Sequence, residues 1–156
     1  KTRRPRQSYD HDALAAVPPF SIVSGKKCKT TMYSVESDKS RRLIVISAAG
    51  RVTRQEVEAA VSQVRELLKD FAPGFRALTD FRLLEAMDAA AARHVAEIMD
   101  ALAAKQVGYV VRVMPDPLKD IGLNILSHFH YGPEIEIATF ETLADAIESL
   151  AESGED

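Results

Sequence analysis

The sequence predicts an α/β fold: a mixed, mostly parallel sheet of about five strands, opened by an N-terminal antiparallel hairpin and packed with four helices. Three observations carry this. Short runs rich in Val, Ile, Leu and Phe alternate along residues 32–152 with longer segments whose apolar positions recur at helical spacing. Pro, Gly and Asp punctuate the junctions between them, and Thr, Asp and Glu stand where helices need caps. Two strands and a helix, followed by three strand-helix units, call for parallel strands joined by crossovers plus one antiparallel edge.

Tyr33 and Val35 alternate with Ser34 and Glu36, and Asp38-Lys39-Ser40 supplies turn residues before Leu43-Ile44-Val45-Ile46. The first strand of this hairpin is half-exposed; the second, apolar on both faces, belongs inside the sheet, and Gly50 closes it. Thr53-Arg54-Gln55-Glu56 is a capping box, with Thr53 placed for a free amide and Glu56 for the reciprocal bond. The helix it opens buries Val57, Ala60, Val61, Val64, Leu67 and Leu68 and stops at Pro73-Gly74. A strand over 75–79 leads through a loop to an alanine-rich helix over 89–105, with Val95, Ile98, Met99 and Leu102 inward and Asp88 as its N-cap. After Gly108, residues 109–114 form another core strand. Asp116 caps a third helix with Pro117 in its first position; its buried face is Leu118, Ile121, Ile125 and Phe129, and Tyr131-Gly132-Pro133 ends it after His130. Residues 134–140 form the last strand, nearer an edge, where Ile135 and Ile137 alternate with Glu134 and Glu136. Thr142 and Asp145 cap a final helix with Leu143, Ala146, Ile147 and Leu150 inward, and residues 153–156 fray.

With 156 residues and 46% apolar content, the chain is expected to form one domain over 32–152 and an extension over 1–31. No apolar run approaches the ~20 residues of a membrane span, and no secretory signal stands at the start, so the cytoplasm is the expected compartment. The single Cys28 has no partner thiol for a disulfide or a thiolate zinc site, which fits a reducing environment. Charge is uneven. Residues 1–30 hold seven Lys/Arg and two Asp, whereas the rest hold 13 basic and 21 acidic residues. A basic arm therefore precedes an acidic body. The arm lacks the aromatic or basic periodicity of base or groove recognition, so it is read as an extension lying partly on its own acidic body, with no nucleic-acid partner.

The stretch over 76–92, RALTDFRLLEAMDAAAA, is the expected surface of action, because a strand end there meets the start of a helix, where free amides favour negative charge. In element order and local pattern, residues 32–152 resemble the STAS family, the fold of bacterial anti-sigma factor antagonists. That family's recognisable stretch is an apolar strand, an Asp, a loop, and an Asp-Ser-small-Gly type turn opening a helix. Here Leu78-Thr79-Asp80 matches the strand end and Met87-Asp88-Ala89-Ala90-Ala91 falls on the turn. Ala89 takes the place of the serine that partner kinases phosphorylate, and Ala91 that of the glycine. The resemblance implies a non-enzymatic regulatory module with a protein partner, an anti-sigma factor or another regulator. Its partner-binding surface would comprise Asp80, Met87, Asp88, Ala89, Ala90, Ala91 and Arg93.

Other chemistries lack their companions. Asp80, Glu85 and Asp88 would make a receiver-like magnesium or phosphoacceptor site only with an acidic pair after the first parallel strand, where Ser47-Ala48-Ala49-Gly50-Arg51 stands. His128 and His130 point to nearly opposite sides of a helix, so with His94 they are read as packing or helix-end groups rather than as a metal site. No nucleophile triad or phosphate loop exists, and no cofactor is expected. The alternative to an interaction module is a small-molecule or lipid carrier with an apolar pocket under the third helix, lined by Leu118, Ile121, Ile125 and Phe129.

Overall fold

In a computed structural model, the protein is described over residues 32–154. The expected extension over 1–31 with Cys28, and the last two residues of the expected fraying tail, lie outside the described residues. β1 (Tyr33–Asp38) and β2 (Leu43–Val52) form the antiparallel hairpin; β3 (Arg76–Met87), β4 (Tyr109–Val113) and β5 (Glu136–Phe140) follow in parallel, in the spatial order β1-β2-β3-β4-β5. The helices are α1 (Arg54–Leu68), α2 (Ala92–Ala104), α3 (Pro117–His130) and α4 (Leu143–Glu152). The fold class is the expected one. No helix among the described residues is long and apolar enough to cross a membrane.

Strand alternation sorts the core onto two faces. Ile44, Ile46, Ala77, Phe81 and Val110 pack with α1, α2 and Leu123 of α3; Leu78, Tyr109, Val111 and Val113 pack with Ala146 and Leu150 of α4. The caps hold the helix starts. Thr53 accepts from Glu56 N while the Glu56 carboxylate accepts from Thr53 N at 2.8 Å, completing the capping box. Asp116 accepts from Leu118 N at 3.0 Å, and Thr142 from Asp145 N at 3.2 Å. Each such cap stabilises its helix by about 1 kcal/mol.

Several expectations need correction. β3 does not end at Thr79 but continues to Met87, pairing with β2 as far as Val52, so the expected loop is strand. Two register irregularities in that pairing break the period of two, and Gly50, with φ +64°, lies inside β2 rather than closing it. β5 starts at Glu136 and forms the far edge. In α2 the buried face includes His94 and Ala96, with Val95 only half-buried; Leu67 of α1 is half-buried too. Ile147 of α4 is 52% exposed. Ser153 and Gly154 still donate backbone hydrogen bonds to Ser149 and Ala151.

The largest correction is the orientation of α3. Its apolar stripe faces outward: Leu118 is 79% exposed, Ile121 54%, Ile125 55% and Phe129 76%. The buried side chains are Asp120, Leu123 and Ser127. The cause lies on β4, where Arg112 is 2% exposed beneath the helix. Its guanidinium donates to Asp120 Oδ1 at 2.7 Å, Asn124 Oδ1 at 3.0 Å and Ser127 Oγ at 2.6 Å. An unpartnered guanidinium at that depth is among the costliest groups a core can hold, so α3 turns its 120/124/127 face inward.

Candidate functional site

Because β2, β3 and β4 run parallel, their carboxyl ends point the same way; β2 and β3 end together at Val52 and Met87, the edge where α1 and α2 start, while β4 ends at Val113, level with Asp80, before α3. Asp88 ties this edge together. Its amide donates to Val52 O at 3.1 Å, and its carboxylate accepts from Arg54 N at 3.2 Å. The expected N-cap of the following helix is thus corrected: Asp88 supplies a cap bond to α1, and α2 has no side-chain cap among the described residues. With the carboxylate turned toward α1, the chain enters α2 through a 3-10 turn over Ala89–Ala91, closed by Ala91 N on Asp88 O at 2.9 Å.

Asp88, Ala89, Ala90 and Arg93 are exposed here, while Ala91 is fully buried and Met87 half-buried beneath them. Asp80 does not join them. Met87 lies seven steps further along the strand, roughly 20 Å at a strand's rise. Its neighbours Thr79 and Phe81 face the three-helix side, so Asp80 points to the other face. There it is paired, Arg82 donating from Nε at 3.0 Å and from Nη2 at 2.9 Å. Those hydrogen bonds hold the Asp80 carboxyl below its ordinary value, against a smaller opposing effect of burial.

The histidines sit apart. His94, 4% exposed, shares Nδ1 with Glu97 Oε1 at 3.0 Å, while its Nε2 has no hydrogen-bond partner among the described residues and lies 3.9 Å from Glu58 Oε2. His130 bonds Asp100 at 2.7 Å, and the His128 ring meets Phe129 edge-on at 5.9 Å. Among the described residues no three His, Cys, Asp or Glu side chains gather closely enough to hold a metal ion.

Two features went unread in the sequence: the buried Arg112 network, and an apolar cavity between the sheet and α1, α2 and α3. The cavity is not the expected carrier pocket. None of Leu118, Ile121, Ile125 and Phe129 lines it; α3 contributes Leu123.

No protein-family model matches the sequence. No curated protein matches it either. Solved structures do. An uncharacterised protein of Shewanella loihica PV-4 with a SpoIIAA-like fold aligns with TM-score 0.57 at 19% identity, over 76% of this chain and 91% of that one. The anti-sigma factor antagonist SpoIIAA in its unphosphorylated form gives 0.53 at 19%, over 76% and 97%. An anti-sigma factor antagonist from Mycobacterium paratuberculosis gives 0.51 at 15%, over 78% and 97%. At these identities the likeness is one of fold: the chain has the SpoIIAA-like, or STAS, architecture.

Proposed function

We propose that this domain is a non-enzymatic regulatory module. It docks a protein partner, an anti-sigma factor or another regulator, through the sheet edge that carries Asp88, Ala89, Ala90 and Arg93. The observation that supports this most is the exposure of Ala89 and Ala90 on a firmly tethered turn, in a fold shared with anti-sigma factor antagonists. A methyl group cannot accept phosphate, so position 89 works as a fixed contact rather than a switch, and regulation comes from partner abundance or another site. Met87 and Ala91 support the contact from below; Asp80, on the other face, is outside it.

The test is Ala89→Asp, used beside the unaltered chain as bait in quantitative affinity capture. Because Ala89 is exposed, thermal unfolding should change by no more than about 0.5 kcal/mol. Capture of the partner should fall clearly, since a charge placed in a docking surface must be desolvated or paired on association. Unchanged capture would remove this edge from the interface, and a large loss of stability would show that Ala89 is not the surface residue described.

A further inference from the structure

We infer that α3 is the contact between two copies of this chain, which pair their exposed stripes antiparallel in a two-fold dimer. Leu118, Ile121, Ile125 and Phe129 are each more than half in water, and together they offer roughly 400 Å² of apolar surface. The smallest stable interfaces bury about 600 Å² on each partner, somewhat over half of it apolar. The stripe therefore supplies the apolar share of such a contact by itself.

Gly122 indicates that the occupant is a second copy. It lies exposed on the stripe, between Leu118 and Ile125, in the middle of a helix that a glycine weakens. Among the described residues nothing comes within 4 Å of where its Cβ would stand, and its φ is not positive. Neither close packing nor backbone conformation within the described chain calls for glycine there; what the residue leaves is a notch in the stripe. When two copies of α3 meet antiparallel with Leu118 of each against Phe129 of the other, Gly122 of each falls opposite Ile125 of the other, whose branched side chain fills the notch. Large meets small in both directions, as a self-complementary contact requires.

The charges beside the stripe agree. Lys119 and His130 lie on the same flank at opposite ends of α3, and His130 bonds the exposed Asp100 of α2 at 2.7 Å. Lys119 donates to Leu84 O at 2.9 Å and has no carboxylate partner among the described residues. The two-fold that seats Ile125 in the notch also carries Lys119 of each copy to the His130–Asp100 end of the other, so opposite charges face each other twice across one flank. Leu123 and the Arg112 network hold α3 without help from a partner. The dimer thus joins two folded domains and separates on dilution, at about micromolar concentration for a contact of this size.

Sedimentation velocity of the full chain over a concentration series tests this, with a monomer expected when dilute, a dimer as concentration rises, and nothing larger. Gly122→Gln removes a helix-weakening residue and fills the notch. When dilute it should melt no lower than the parent, yet self-associate at least about tenfold more weakly. Lys119→Glu and Asp100→Lys should each weaken self-association about tenfold, because like charges then face each other across the flank. Mixed one to one, these two variants should recover the dimer, since a mixed pair holds two opposite-charge contacts. A chain that stays monomeric to millimolar concentration would leave the stripe to another protein or to the chain's own extension, and would overturn the dimer. Association unchanged in Gly122→Gln, or charge variants that fail to recover on mixing, would overturn it as well.

Discussion

Removing Arg112 and Asp120 one at a time and then together tests whether their pairing sets the orientation of α3. Arg112 is 2% exposed and Asp120 6%, and they meet at 2.7 Å. Arg112→Leu leaves the Asp120 carboxylate buried with the Asn124 amide, at 2.8 Å, as its remaining side-chain donor. Asp120→Leu leaves the guanidinium with two neutral acceptors, Asn124 and Ser127. Breaking a buried pair from one side costs about 3–5 kcal/mol, because the survivor stays desolvated without its counter-charge. Replacing both partners by leucine removes both desolvation penalties and is expected to lie near the parent, or up to about 4 kcal/mol above it. Urea unfolding of the four proteins gives the coupling directly, provided all four show two-state transitions with similar slopes. Single substitutions costing less than about 1 kcal/mol, or a double variant as unstable as the two singles summed, would refute the account of why α3 faces as it does.

Two further outcomes follow from the same geometry. Leu123→Ala should destabilise by about 2–5 kcal/mol, since Leu123 is the apolar side chain of α3 in the core, whereas Phe129→Ser should shift unfolding by no more than about 0.5 kcal/mol; the reverse order in chemical denaturation would put the stripe inside. In Arg82→Gln the Asp80 carboxyl, followed by NMR titration, should climb back toward 3.8. The folded value is depressed, so the pair stabilises above the unfolded value and loses that contribution as pH falls through the folded one; the gap between parent and variant, under about 1 kcal/mol, should close on acidification, and a gap that widens would contradict the pairing.

What the sequence shows clearly here is whatever is decided within a few residues. The Thr53-Glu56 box, the Asp116-Pro117 start and the Thr142 cap are local bonds between neighbours, and each forms where its residues predict. What it hides is decided at long range. The periodicity of α3 identifies an apolar stripe but not the direction it faces, and that direction is set by Arg112 on another element. The signal was present in the Arg within the apolar run of β4 and in polar residues at 120, 124 and 127, spaced to share one helical face. Asp88 looks like a cap for the helix next to it, and only folding brings in Arg54, 34 positions away, to claim the carboxylate. β3 loses its alternation at the irregular pairing with β2, so half of a long strand reads as a loop. The candidate site inherits both errors: Asp88, Ala89, Ala90 and Arg93 share a surface, and Asp80 is carried to the other face.

The inward polar face of α3 has a consequence for docking. Leu118, Ile121, Ile125 and Phe129 stay largely in water, and fully burying such a side chain is worth about 1.5–3 kcal/mol each, so whatever covers the stripe gains several kcal/mol of driving force. The stripe runs roughly 16 Å along the helix from Leu118 to Phe129. The outward face of α3 and the Ala89 turn are fixed independently, the first by the Arg112 network and the second by the bonds of Asp88 to Val52 and Arg54.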